Sequence, residues 1–397
     1  MTQAVLTLNA GSSSVKFALF AAQVDGALAD GAQVDGALAT GIADRIGPAG
    51  TLRLLGADGG TLRAVAGDLS THAGAIKAAI DSFRAAYPGL AVRAVGHRVV
   101  HGGMMYAAPV TVTQAVFDEL AALAAFAPLH QPHNLAGISA TAQAFPGVPQ
   151  VACFDTAFHR NQPWVNETFA LPRQLYDEGV RRYGFHGLSY QHIAGAMPPG
   201  VAAGRVVVAH LGNGASMCAM VAGRSVASSM GFSTLDGLAM GTRCGQIDPG
   251  VLLYLMDRKG MTAGEISDLL YNRSGLLGLS GISNDMRVLE ASDAPEAAQA
   301  IGYFVARCRR EVASLAAAMG GIDALVFTGG IGENSVRVRE AVCGGLGWMG
   351  LALDLGRNAA GAADISAAGA QGTVLVIPTN EELVIARAAR AEVLPGY

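Results

Sequence analysis

Short β-rich runs separated by glycine-centred turns open the chain. Residues 4–8 (AVLTL) and 15–20 (VKFALF) are apolar runs on either side of a GSSS turn at 11–14, the pattern of a β-hairpin. The decamer AAQVDGALAD at 21–30 is followed by GAQVDGALAT at 31–40. Two copies are too few for a solenoid, and they read as a duplication lengthening a surface loop, where added length costs little. Helical spacing predicts helices near 70–87 and 112–126, separated by a strand near 92–100. Another strand ends in VACFD at 151–155. Then the pattern restarts. Strand-like runs at 205–211, 216–223 and 224–232 are followed by helices near 249–258, 262–271 and 295–319. A buried strand at 323–330 leads into a helix near 335–344, and a strand at 373–378 precedes a last helix at 381–393.

Hairpin, strand, helices, strand, and then the same order again predicts a duplicated α/β protein. Each half is a mixed sheet with flanking helices, and the cleft expected between two such halves is a usual place for a ligand. The expected domains are 1–154 with a returning helix at about 384–397, and 155–383. A length of 397 residues suits two or three domains. With 51% hydrophobic and 15% charged residues the chain is globular and not disordered. No stretch approaches the roughly 20 apolar residues of a membrane span, and no basic segment precedes Asn9, so neither membrane insertion nor a signal peptide is expected. A formal net charge of -4 argues against nucleic acid as a partner. The five cysteines (153, 218, 244, 308 and 343) are widely spaced, with no CxxC pair, and read as buried free thiols. These features point to a cytoplasmic enzyme.

GxxxxGK[ST] and GxGxxG are both absent, so any nucleotide must use other loops. Three turns are candidates. In LNAGSSSVKF (8–17) a strand ends in Asn9, a Gly-Ser-Ser-Ser turn follows, and Lys16 adds positive charge, a combination that can face phosphate oxygens. In AHLGNGAS (209–216) the glycines permit close backbone approach, although Asn-Gly is also an ordinary hairpin turn. In VFTGGIGENS (326–335) a buried strand enters a Gly-rich turn at a helix start, where anions are favoured; the plainer reading is a tight turn with Asn334 as helix cap.

Eight of the nine histidines fall between 97 and 210. His97/His101 and His130/His133 have tempting metal spacing, but glycines at 96, 102 and 103 argue against a helix there. Pro128 and Pro132 break the second cluster, so polar cleft-lining histidines are favoured over zinc. Arg98 and Arg243 sit among glycine and turn residues, where arginine serves bidentate contacts to carboxylate and phosphate, or an ordinary salt bridge. A strand-end Asn and a strand-end Asp (155) suit a hydrated Mg²⁺. Glu381, in PTNEE, reads equally as helix-start stabilisation.

LTLNAGSSSVKF, VGHRVVHGG, FAPLHQPHNL, VACFDTAFH, RRYGFHGLS, AHLGNGAS, SSMGFSTLDGLAMGTRCGQIDPG, SGLLGLSGISNDMR, FTGGIGENS and VIPTNEEL follow one another from residue 6 to about 387. In that order they resemble the acetokinase (acetate kinase) family, which belongs with sugar kinases, heat-shock chaperone ATPases and actin. The resemblance implies two ribonuclease-H-like domains closing on ATP, usually in a homodimer. It implies Mg²⁺ (or Mn²⁺) placed by Asn9 and Glu381, with Ser12, Ser14 and Lys16 on the phosphate side of the first domain. Arg98 would contact the acyl carboxylate or the transferring phosphoryl group. Asp155 matches the essential aspartate of the FDTAFH motif, and His186 and Arg243 match residues that stabilise the transition state. His210, Leu211, Gly212, Asn213 and Gly214 would cradle the ATP phosphates. Asp285, Met286 and Arg287, with Gly330, Ile331, Gly332, Glu333 and Asn334, would hold adenosine and ribose. Val100, Leu129 and Phe185 would form the methyl pocket, with His130 also on the acyl side. The chain departs from the family pattern at Gln131, Leu188, Tyr190 and Thr234. Thr234 stands where a pocket proline is usual, which leaves propionate open as a substrate beside acetate.

The implied reaction is reversible transfer of the ATP γ-phosphoryl group to acetate, giving acetyl phosphate and ADP. A carboxylate is already ionised at neutral pH and needs no general base. It needs relief from repulsion by the triphosphate, which arginines and a metal supply. The rival class is a non-transferring ATPase of the same superfamily, which would not need the arginines and histidines of the acyl-side motifs.

Overall fold

In the computed structural model of the chain the described residues are 3–11, 14–22, 36–125, 127 and 130–393. Ser12, Leu129 and most of the tandem decamers (23–35) lie outside them. The chain divides into two compact units, Met1–Ala157 with Asn380–Tyr397, and Phe158–Thr379.

The first unit is built on one sheet. Its strands are β1 (Gln3–Ala10), β2 (Ser14–Ala21), β3 (Ala37–Asp44), β4 (Gly47–Gly56), β5 (Thr61–Leu69), β6 (Ala91–Val99), β7 (Val110–Thr111) and β8 (Gln150–Phe154), in the order β5-β4-β3-β2-β1-β6-β8-β7. The first five form an antiparallel meander, whereas β6 runs parallel to β1 and β8 parallel to β6. Alternation along β1, β2 and β4 turns Leu6, Leu8, Val15, Phe17, Leu19, Leu52 and Leu54 into one buried layer. The helix His72–Ala86 closes that layer with Ile76, Ile80 and Phe83. Thr71 caps this helix by accepting from the Gly74 N–H at 3.0 Å. A helix at Gln131–Ala144 was not expected, because Pro132 reads as a breaker. Pro132 instead occupies the first turn, where an absent N–H is no loss.

The second unit repeats the plan. β9 (Arg205–Leu211), β10 (Ala215–Val221), β11 (Arg224–Ser228), β12 (Ala324–Thr328) and β13 (Thr373–Val376) lie in the order β11-β10-β9-β12-β13. β9, β12 and β13 are mutually parallel. β3-β2-β1-β6-β8 has the same order and directions, so the duplication read in the sequence is a duplication of sheet topology; β4, β5 and β7 are additions to the first sheet. The strands expected to run to 223 and 232 stop at 221 and 228. Ala222 and Gly223 turn between them with φ of 49° and 72°, the left-handed pair of a two-residue hairpin. The long helix Pro295–Met319 buries Ile301, Phe304, Cys308, Val312 and Leu315.

All five cysteines are free, four of them buried. Burial pushes the thiols of Cys153, Cys218 and Cys343 up to about 12 and that of Cys244 to about 11. Among the described residues no helix is long and apolar enough to cross a membrane.

The helix Glu381–Val393 lies directly on β6 at Gly96. A Cβ there would stand 2.5 Å from Ile385 Cγ2 and 3.2 Å from the Ile385 carbonyl oxygen. Gly96→Ala is therefore expected to lift the helix and lower stability by about 1–3 kcal/mol, the cost of overpacking. Calorimetric melting of the two proteins measures it, and an unchanged midpoint would mean the helix slides aside freely.

Candidate active site

In the first unit the carboxyl ends of the parallel strands β1, β6 and β8 carry Asn9, Arg98 and, one residue past β8, Asp155. Arg98 grips Asp155 with both Nε and Nη2, at 3.0 Å to Oδ1 and 2.6 Å to Oδ2. Its third nitrogen, Nη1, donates to Asn9 Oδ1 at 3.2 Å, and Asn9 Nδ2 donates to Glu381 Oε2 at 2.9 Å. Four candidates thus form one row. Burial opposes the Arg98 charge, but the Asp155 carboxylate, with Glu381 and Glu382 beyond it, outweighs that and pushes its pKa up. Asp155 is 1% exposed and Arg98 14%, so removing either partner would strand a buried charge, at a cost of about 3–5 kcal/mol.

Lys16 faces Asn9 across the β1–β2 pair and is exposed, and Ser14 opens β2. Val100 and His130 are buried. Asn134, which the sequence reading did not single out, ties two of these segments together. It accepts from the Val100 N–H at 3.0 Å and donates to the Ala10 carbonyl at 2.9 Å.

Among the described residues no three His, Cys, Asp or Glu side chains gather as a cage. Glu381 and Glu382 nevertheless place two carboxylates at one helix start, and Glu382 Oε1 is buried without a hydrogen-bond partner among the described residues. Burial, with Glu381 adding to it, raises the Glu382 pKa against the pull of Lys16. Hard oxygens and few protein ligands fit a Mg²⁺ that takes its other ligands from phosphate and water.

In the second unit His186 has φ 57° at the start of the helix Gly187–Ala196, a left-handed backbone for a non-glycine residue. Such strain is held in place only by its surroundings. Beneath it, His159 Nε2 donates to the Phe185 carbonyl at 3.0 Å and Nδ1 pairs with Ser225 Oγ at 2.8 Å. His186 Nδ1 lies 2.8 Å from Ser216 Oγ, and its ring stacks on His210 with centroids 4.3 Å apart. A Cβ on Gly214 would stand 3.3 Å from His186 Nε2 and 3.8 Å from Arg243 Nη1. The bare Gly214 turn is therefore where His186 and Arg243 meet. Arg243 Nη1 also donates to the Thr234 carbonyl at 3.0 Å. Asn213 accepts from the Gly241 N–H through its carbonyl at 3.0 Å. A Cβ on Gly212 would be 3.8 Å from the Gly330 nitrogen, so two of the three glycine turns adjoin.

The remaining candidates are more mixed. Asn334 does not cap a helix start. It ends the helix Gly329–Asn334, its side chain donates to the Gly330 carbonyl at 2.9 Å, and Ser335 caps the next helix. Glu333 Oε1 turns inward and accepts from Gly329 N at 2.8 Å and Thr379 N at 3.1 Å. Asp285 and Arg287 grip each other at the surface, at 2.6 Å. Met286 is 3% exposed, so a nucleotide would meet its backbone and not its side chain. Leu211, Phe185 and Thr234 are buried.

The acetokinase family model matches residues 4–387. An acetate kinase of Methylocella silvestris is 55% identical over 395 residues, covering 98% of this chain and 97% of that protein. The chain belongs to the acetokinase family. An acetate kinase of Rhodopseudomonas palustris is 52% identical, covering 98% of each chain. Among solved structures, acetate kinase from Porphyromonas gingivalis matches at TM-score 0.84 and 36% identity, covering 98% of this acetokinase-family chain and 99% of that one. A propionate kinase from Francisella tularensis matches at TM-score 0.87 and 35% identity, covering 98% and 100%.

Two histidines behind these sites set a pH dependence. Burial lowers His97, paired with Gln150 at 2.7 Å, and His159 to about 4. The unfolded chain binds these protons near pH 6.5 and the folded chain does not, so stability is lost as pH falls from about 6.5 towards 4. Between pH 7 and pH 5 each is expected to cost about 2 kcal/mol. Denaturant unfolding at both pH values measures the fall, and His97→Gln should remove about half of it.

Proposed function

We propose that this chain transfers the γ-phosphoryl group of ATP to acetate by direct in-line displacement, giving acetyl phosphate and ADP. It is a kinase with acetate as acceptor, of the family that its matched length and its relatives show. The observation that carries the mechanism is the convergence of His186 and Arg243 on the Gly214 turn, two hydrogen-bond donors beside a backbone that leaves room for phosphate.

The carboxylate is the nucleophile and arrives ionised, so no residue has to take its proton. Arg98 binds that carboxylate or the phosphoryl group in flight. Asp155 fixes the guanidinium plane through its paired contacts and leaves Nη1 towards Asn9. Arg243 and His186 donate to the phosphoryl oxygens as charge spreads over them. His210 to Gly214 hold the ATP phosphates, and Ser12, Ser14 and Lys16 add donors from the first unit. Asn9 and Glu381 would hold the Mg²⁺ that shields the phosphate charge. Asp285 to Arg287 and Gly330 to Asn334 hold the nucleoside. Val100, Leu129, His130, Phe185 and Thr234 receive the acyl group. Propionate is a poorer acceptor in this reading, and Thr234 keeps the difference small. The homodimer that the resemblance implies and the cytoplasmic location that composition and cysteine pattern point to belong to the same reading.

The first test is acyl hydroxamate formation with Mg-ATP, hydroxylamine and either acid. Acetate should be preferred over propionate by roughly 10-fold or less in kcat/KM, the low end of what one methylene is worth. ATP turnover that ignores added carboxylate would sink the kinase reading. Thr234→Pro should widen the ratio.

Arg98→Ala and Arg243→Ala should each lower kcat/KM by roughly 100-fold or more, the scale of a lost transition-state donor. Steady-state kinetics decide this, and near-normal rates in both variants would make the two arginines structural.

A further inference from the structure

His186, Ser216 and Tyr190 form a buried row in the second unit. Tyr190 Oη lies 2.5 Å from Ser216 Oγ, and Ser216 Oγ lies 2.8 Å from His186 Nδ1. Tyr190 and Ser216 are both 0% exposed. The phenol ring sits among Ile193, Val206, Val208 and Cys218, where nothing apolar can accept its proton. Among the described residues Ser216 is the one hydrogen-bond partner of the Tyr190 hydroxyl.

The row has only one arrangement in which every polar atom is used. Suppose the His186 proton sat on Nδ1 and was donated to Ser216. The Ser216 hydroxyl would then turn to the Tyr190 oxygen and leave the phenol O–H aimed at hydrocarbon. If Tyr190 and Nδ1 both donated to Ser216, the serine proton would be stranded instead. A buried donor without an acceptor loses its hydration for nothing. If Tyr190 donates to Ser216 and Ser216 donates to Nδ1, the row is complete and the ring proton is on Nε2. Nε2 is the atom that faces the Gly214 turn, 3.3 Å from where a Cβ would be. Burial, with Cys218 adding to it, raises the Tyr190 phenol well above its ordinary range against the opposing Ser216 bond. The proton that starts the row is therefore present throughout neutral pH.

The neighbouring histidine points the same way. Ser189 Oγ lies 2.8 Å from His210 Nδ1, and the two imidazoles stack at 24° to one another. Two charged rings face to face would repel, so the stack favours neutral imidazoles.

We propose that Tyr190 and Ser216 are positioning residues that hold His186 as the neutral Nε2–H tautomer. It then enters phosphoryl transfer as an uncharged hydrogen-bond donor, and the positive charge is left to the arginines. Tyr190 is one of the positions at which this chain departs from the family pattern, so the device is read from this chain's own residues. The inference rests on the placement of His186 beside the transferring group.

The test is ¹⁵N NMR of histidine-labelled full-length protein, with kinetics of Tyr190→Phe, which deletes one oxygen and keeps the ring. In the unaltered protein His186 should show a pyrrole-type Nε2 and a pyridine-type Nδ1. In Tyr190→Phe the two shifts should move towards each other as the tautomers mix. kcat should fall roughly 10-fold, the worth of one oriented hydrogen bond, with KM for ATP and acetate within about two-fold. An unaltered protein protonated on Nδ1, or a variant with unmoved shifts, overturns the proposal, and the first of these needs no variant to fold. Moved shifts with unchanged kcat would instead overturn the placement of His186 in the transfer.

Discussion

Parallel pairing of the hairpin's first strand with a later strand is the constraint on which both units depend. Because β6 and β8 run in the direction of β1, all three strands end on the same side of their sheet. Asn9, Arg98 and Asp155 are neighbours for that reason, although 89 and 57 residues separate the successive contacts. In the second unit β12 and β13 end alongside β9, which brings the turn after Leu211 against the turn after Thr328. Open α/β sheets place ligands at such carboxyl ends because side chains there leave the sheet without breaking its ladder.

The ends differ in their electrostatics. In the first unit a buried carboxylate commits two arginine nitrogens, so the guanidinium is fixed in plane before any substrate arrives. In the second unit Arg243 donates to the Thr234 carbonyl and to the Met240 sulfur, both close along the chain. Preorganisation of this kind matters more than the number of donors, since nothing has to reorient while charge moves.

The architecture was legible where the hydrophobic period was strong. The helices at 295–319 and 381–393 and the repeated succession of hairpin, strand, helices and strand follow from it. Positions governed by a single turn were not legible. Pro132 looked like a breaker and proved to be a first-turn proline. The runs read as 216–223 and 224–232 are shorter than expected, because the turn between them takes residues 222–223 out of the first. Arg98, His186 and Arg243 stand out because unusual residues sit near glycines, and Asp155 because a charge ends an apolar strand. Asn134, Ser216 and His159 do not stand out, because a buried polar side chain that serves another residue carries no local pattern. Only the folded structure shows that Ser216, directly across from His210, bonds the His186 ring.

The thiols give the chain a chemical memory of its own packing. Only the thiolate reacts with alkylating or oxidising reagents, and burial keeps Cys153, Cys218 and Cys343 protonated far above neutral pH. Cys153 lies in β8 of the first unit, while Cys218 in β10 and Cys343 in a helix belong to the second. A thiol reagent at neutral pH therefore finds each residue only when its own element opens. The rate at which each sulfur is labelled becomes a separate clock for each unit, running on the opening of the element that holds it.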